Sequence, residues 1–315
     1  MRFTLSAAAR GACFLALAAS LAACSGDSTG SGGPAVTGPG DYALSLRSDG
    51  RTRVYSLHVP PQFNGTAALP LVIAFHGVPG SPAQMKLISD FDAVANQRGF
   101  LVAYPAAATG DWDLNCGGCT EAEQRGVDDV RFVRELIDAL VVQAKADANR
   151  VYAAGFSQGA LVTHHLACEL NDRIAAFASV AATMLDPTAR ECQPAGGAPI
   201  AFFHGTADAE FPPGGTTVSG LSSLSIDRSV QQFTSANGCA GPPVLTNLPD
   251  AQADGTTVRR ERWTGCATGA DVILYRISGG GHTWPGSPAE FNPALGAKSR
   301  DIVASELIAD FFLAN

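Results

Sequence analysis

Charge is scarce in this chain, and what there is leans to one sign. Only 16% of the 315 residues are Asp, Glu, Lys or Arg, the formal net charge is −8, and no basic run occurs. Such a chain has no electrostatic reason to bind nucleic acid, and strongly anionic substrates are disfavoured; neutral ones fit. Long apolar runs are missing too. Beyond the N-terminal segment no stretch stays apolar for the roughly 20 residues that a spanning helix needs, so no transmembrane helix is expected. No internal repeat is evident. What is abundant is apolar side chains, at 46%, together with 34 glycines. The apolar share suits a sheet buried on both faces, with core enough for one stable domain.

The first residues are read as processing signal rather than fold. Arg2 and Arg10 bracket a short cationic region, residues 12–19 are apolar, and Leu21-Ala22-Ala23-Cys24 follows. This is the pattern of a lipoprotein signal over residues 1–23, with Cys24 as the lipidated N-terminus; a plain signal peptide cut nearby is the alternative. Its removal takes away two arginines and no acid, leaving the mature chain more acidic still. Residues 24–41, rich in Gly, Ser, Thr and Pro, then read as a flexible tether and residues 42–315 as a single catalytic domain. The position after Cys24 is Ser25 rather than the aspartate that retains many lipoproteins at the inner membrane, so the outer membrane or cell surface is the expected location, with secretion or the periplasm as the alternative. The lipid anchor is then the only membrane contact, and nothing calls for an obligate protein partner.

Setting aside Cys13 and Cys24 leaves Cys116, Cys119, Cys168, Cys192, Cys239 and Cys266, an even set in an exported chain, which favours disulfides. Proximity in sequence pairs Cys116 with Cys119, Cys168 with Cys192 and Cys239 with Cys266. Zinc is the alternative for the first pair, but no second ligand pair has matching spacing, so no metal is expected.

The chemistry enters at Gly155-Phe156-Ser157-Gln158-Gly159, a serine between two glycines, after a short apolar run and before a helical one. This is the spelling of a nucleophile elbow: small residues two before and two after the serine let a strand and a helix approach across a strained turn. Ser157 would then stand at a helix N-terminus, where backbone N–H groups face an incoming anion.

A serine nucleophile needs a base and an acid, which in this elbow architecture follow in the order Ser, acid, His. Of six histidines, only His204 and His282 follow Ser157 at a useful distance. His204 closes an apolar run and suits a strand end. His282 follows the strand-like residues 271–277 and Gly279-Gly280-Gly281, and is the expected base. Asp208, just past the strand ending near His204, is the expected acid, with Glu210 and Asp227 as rivals. The buried-strand run of residues 69–75 ends in His76-Gly77-Val78, so the N–H groups of Val78 and Gln158 are the expected oxyanion donors. His76 reads mainly as a brace for that loop, with a place in the substrate pocket as the other reading. Trp284 and Trp112 are candidate walls for an acyl or aryl group, with a place in the core as the other reading. No cofactor is required for such acyl transfer.

Alternating strands and helices predict an α/β fold with a mostly parallel sheet, helices on both faces, and the site at the strand C-terminal ends. The expected path is a hairpin over residues 42–60 turning at Asp49-Gly50, a strand to Phe75, a helix over 82–98, a strand over 100–104 and a helix over 127–145 with Asp128 and Asp129 in its first turn. The elbow strand and helix follow, then strands ending at Val180 and Phe203, a helix over 222–237, the strand before His282, and a closing helix over 302–313.

With these pieces in order, the chain resembles the secreted bacterial esterase family that groups polyhydroxybutyrate depolymerase-type enzymes with feruloyl and acetylxylan esterases, in the α/β-hydrolase superfamily. The matching segments are residues 70–77, Phe91-Asp92 with 100–105, Gly126-Val127-Asp128-Asp129-Val130, the elbow, 203–208 and Gly280-Gly281-His282-Thr283-Trp284-Pro285-Gly286. The resemblance implies the same Ser157, Asp208 and His282, and it leans toward a hydroxyalkanoate polyester or its oligomers as substrate, with a feruloyl or acetylated cell-wall ester as the alternative. It departs at Ala209-Glu210-Phe211-Pro212, where relatives commonly carry an uncharged aliphatic stretch. A reading from another class is a lipid-anchored binding protein on a hydrolase scaffold. The intact Ser, Asp and His set argues against it.

Overall fold

Asp49 and Gly50 both take positive φ, at 47° and 72°. That is the backbone of a tight turn whose twist matches a hairpin, and Asp and Gly are residues that tolerate it. It joins β1 (Gly40–Ser48) to β2 (Arg51–Val59) in the register that pairs Ser48 with Arg51. The computed structural model describes residues 36–218 and 221–315. The expected signal 1–23, the lipidation site Cys24 and most of the tether lie outside the described residues. The fold begins before the expected boundary at residue 42, because Val36 is buried and donates its N–H to Gln143 O at 3.0 Å.

The core strands are β3 (Leu69–Phe75), β4 (Leu101–Pro105), β5 (Ala146–Phe156), β6 (Ala176–Val180) and β7 (Ile200–Gly205). A small hairpin, β8 (Thr216–Val218) with β9 (Leu221–Ser223), stands apart from them. After it come β10 (Val244–Asn247), β11 (Thr257–Trp263) and β12 (Val272–Ser278). The large sheet has the order β1-β2-β4-β3-β5-β6-β7-β12-β11-β10. From β4 to β12 all pairings are parallel, while β1, β2, β11 and β10 are antiparallel additions at the two ends.

Parallel strands bury both faces, so their sequences are continuously apolar. In β3, Leu71, Ile73 and Phe75 point into one core layer and Val72 and Ala74 into the other. The first layer is closed by α4 (Asp129–Gln143), α5 (Gln158–Glu169) and α7 (Ile226–Ala236) through Phe132, Leu136, Leu166 and Phe233. The second is closed by α1 (Pro82–Ser89), α2 (Phe91–Arg98) and α8 (Ala304–Leu313) through Met85, Phe91, Ile308 and Phe312. The described residues also hold two short helices, α3 (Glu121–Gln124) and α6 (Asp186–Glu191). The expected α/β fold, a mostly parallel sheet with helices on both faces, is what the chain adopts.

Three local differences have physical causes. The single helix expected over 82–98 is two, because Asp90 takes a left-handed conformation (φ 51°) that ends α1 and starts α2. The helix expected to begin at 222 begins at Ile226, where the Ser225 side chain accepts the Arg228 N–H as an N-cap. The segment between Cys239 and Cys266 holds two further strands, β10 and β11. The disulfides are Cys116–Cys119, Cys168–Cys192 and Cys239–Cys266, the three pairings expected. Among the described residues no helix is long and apolar enough to cross a membrane.

Candidate active site

β5 delivers Ser157 on a turn of unusual geometry, with φ 56° and ψ −122°. A non-glycine residue held there stores on the order of 1–3 kcal/mol of strain. The two flanking glycines explain how the turn survives. A Cβ on Gly155 would lie 2.0 Å from Gly159 O, and one on Gly159 would lie 2.2 Å from Phe75 O. Any side chain there would push β5, α5 and β3 apart. The turn is also tied to the next strand, Ser157 N–H donating to Val180 O at 3.0 Å. Ser157 remains part-exposed, so its hydroxyl is reachable.

β7 ends in His204-Gly205, and the turn after it carries Asp208. One carboxylate oxygen of Asp208 accepts the N–H groups of Glu210 and Phe211, both at 2.9 Å. The other meets His282 Nδ1 at 2.9 Å, and the Asp208 side chain is fully buried. Since a carboxylate here only accepts, Nδ1 carries the proton and Nε2 is left with a lone pair. That lone pair faces Ser157 Oγ at 2.9 Å. His282 is itself held through the main chain, its backbone N–H donating to Leu295 O at 2.6 Å.

The rivals fall elsewhere. His204 Nε2 donates to Phe211 O at 3.0 Å, bracing the turn that holds Asp208, and burial pushes its pKa down. Glu210 is exposed, and Asp227 pairs with Arg276 at 2.5 Å. Asp129, at the first turn of α4, is buried and bonds Arg53 at 2.6 Å and the Asp113 N–H at 2.8 Å. It anchors the loop carrying Trp112.

The three side chains considered for the pocket, Trp112, Trp284 and His76, are all buried. Trp112 has no exposed surface; its indole N–H donates to His76 O at 2.9 Å, and its backbone N–H donates to Gln158 Oε1 at 3.0 Å. Trp284 is 1% exposed, bonded to Ser305 Oγ at 3.0 Å and edge-on to Phe91. His76 is buried, donating from Nδ1 to Gly77 O at 2.8 Å, and desolvation lowers its pKa. An indole needs a partner for its N–H when buried, and here both find one inside the core. Trp112 and His76 back the loop bearing Val78, which passes close to the nucleophile: a Cβ on Gly77 would lie 3.0 Å from Ser157 Cβ. Gln158, the other expected donor, is the first residue of α5.

Sequence reasoning missed the rings around the base. Phe156 lies tilted against His282 with centroids 5.2 Å apart, and Phe211 stacks on it at 5.9 Å. Phe211 was visible only as a departure from the pattern of relatives. Nor is either candidate cation cluster suited to a metal. Cys116 and Cys119, beside Glu123, are bonded to each other and offer no thiolate, while Asp41 and Asp92 already share the Lys86 ammonium, at 2.8 and 2.6 Å, and flank His58 Nδ1 at 2.7 and 3.3 Å.

Comparison with known proteins agrees with this architecture. The family model described as Esterase PHB depolymerase matches residues 53–187. The relative NocK of Nocardia uniformis subsp. tsuyamanensis is 33% identical over 280 residues, covering 84% of this chain and 80% of its own. Feruloyl esterase B of Piromyces equi is 32% identical over 235 residues, 71% of this chain but 41% of that longer protein. Among solved structures, an acetyl xylan esterase from Aspergillus awamori superposes with a TM-score of 0.58 at 15% identity, over 78% of this chain and 94% of the other, a likeness of fold. The chain therefore belongs to the esterase PHB depolymerase family, as a carboxylic-ester hydrolase on the α/β-hydrolase fold.

Proposed function

We propose that this esterase works by acyl transfer through Ser157, His282 and Asp208, and that its substrate is a hydroxyalkanoate polyester or its oligomers. The single observation that carries the mechanism is the unbroken chain of hydrogen bonds from Asp208 Oδ2 through His282 to Ser157 Oγ, 2.9 Å at each step. His282 takes the serine proton as Oγ attacks the ester carbonyl. Asp208 holds the tautomer and stabilises the imidazolium. The N–H groups of Gln158 and Val78 receive the developing oxyanion, each donor contributing about 10²–10³ in rate. The proton then passes to the leaving alcohol, and water repeats the sequence on the acyl-enzyme. No step asks for a cofactor.

The polyester reading is supported by the family description. A feruloyl ester is the second reading, favoured by the likeness to the Piromyces enzyme. Export is supported by three disulfides, which persist in oxidising compartments, and lipidation at Cys24 would place the single catalytic domain at a membrane surface.

The test compares initial product release from amorphous polyhydroxybutyrate and from methyl ferulate, using the form starting after Cys24. Hydroxybutyrate release that falls about 10⁶-fold in Ser157→Ala supports the reading. Ferulate release alone moves the enzyme to cell-wall esters. If a fluorophosphonate fails to label Ser157, a binding role takes its place.

A further inference from the structure

Four rings form a row beside the nucleophile: Phe211, His282, Phe156 and Phe291. Phe211 stacks on His282 with 24° between planes at 5.9 Å, Phe156 lies against His282 at 5.2 Å, and Phe291 meets Phe156 edge-on at 5.9 Å. The middle two are buried and the two ends are part-exposed. Phe211 is the end next to the acid turn, and its backbone is fixed on both sides. Its N–H donates to Asp208 Oδ1 at 2.9 Å and its carbonyl accepts from His204 Nε2 at 3.0 Å. With its backbone tied on both sides and its ring stacked on His282 yet part-exposed, Phe211 presents an apolar surface at a defined place.

Which part of the ester meets that surface follows from the chemistry. His282 must return the serine proton to the leaving alkoxide, so the alcohol side of the ester lies against the Nε2 edge of the imidazole. Of the two phenylalanines against that imidazole, Phe156 is buried and Phe211 is the part-exposed one, the ring left open to an alcohol group. The surface continues in the part-exposed Pro212 and Pro213, which have no N–H to offer a hydroxyl-rich group.

We propose that Phe211 is a specificity-determining residue for the alcohol side of the ester, selecting an apolar alcohol such as the next monomer of a polyester over a sugar hydroxyl. This rests on Ser157 acting as the nucleophile, and the experiment separates the two claims. The mature enzyme, Phe211→Leu and Phe211→Ala are compared on three butanoate esters: those of methanol, benzyl alcohol and a methyl xyloside. In the wild type, kcat/KM should be higher for the benzyl than for the xyloside ester. The ratio of benzyl to methyl kcat/KM should fall about tenfold in Phe211→Ala, through KM, with Phe211→Leu between, as expected for loss of one ring contact. An unchanged ratio, with both esters slowed through kcat, means that the ring only positions His282 and overturns the proposal. A wild-type preference for the xyloside ester overturns it in favour of a carbohydrate alcohol. Failure of the underlying reading looks different: no hydrolysis of methyl butanoate by the wild type and no fluorophosphonate labelling of Ser157.

Discussion

Between β3 and β12 the strands run parallel and nearly every side chain is buried, whereas at the two ends of the sheet alternate residues face water and ion pairs link neighbouring elements. At one end Lys86 bridges Asp41 of β1 and Asp92 of α2. At the other, Arg259 and Arg276 share Glu261, and Arg262 pairs with Asp271. The turns that carry Ser157, Asp208 and His282 all leave the apolar middle. Their alignment depends on close packing, which is insensitive to salt, while the ends are held partly by charges that water and salt screen. Precision sits in one region and adaptability in the other.

The comparison can be broken at the site first. Asp208→Asn should keep the shape but lower kcat about 10⁴-fold, because the amide no longer fixes the working tautomer of His282; initial rates beside a circular dichroism spectrum would show activity lost with the fold retained. Gly159→Ala breaks the packing itself. With its Cβ 2.2 Å from Phe75 O, the variant should lose on the order of 3 kcal/mol or more in urea unfolding, and activity with it.

A third change sharpens what a dry middle costs. His164, in α5, has no partner on either ring nitrogen, lies 5.5 Å from Phe202, and burial pushes its pKa down to about 3. The unfolded chain takes up this proton near pH 6.5 and the folded chain does not, so stability falls as pH drops from about 6.5 toward 3. At pH 5 the loss is about 2 kcal/mol from this residue. His164→Leu should flatten that part of the slope, read by denaturant unfolding at pH 7.5 and pH 5. The smallest effect belongs to the edge: Arg262→Ala should cost under about 1 kcal/mol, and the difference should shrink further in 1 M salt.

Local chemistry was legible in the sequence wherever one residue type had one physical use. Asp49-Gly50 announced its turn, the Gly155 and Gly159 pair announced the close approach, and the order of Ser157, Asp208 and His282 along the chain foretold which side chains would meet. Partnerships between distant residues were not legible. Nothing in the neighbourhood of Trp112 reveals that its two N–H groups find His76 O and Gln158 Oε1, so a core residue looked like a wall. Asp90 hid the break between α1 and α2 inside a continuous pattern. β10 and β11 escaped notice because an edge hairpin rich in arginine reads as surface loop, its strand character coming from the pairing partner more than from its own residues.

That hairpin changes the standing of its neighbour. β12, the strand leading to His282, pairs with β7 on one side and β11 on the other. Without the segment closed by Cys239 and Cys266, its outer row of N–H and C=O groups would be an open template for another chain. The segment acts as a sheath, moving the unpaired border of the sheet away from the strand that leads to the proposed base and out to β10.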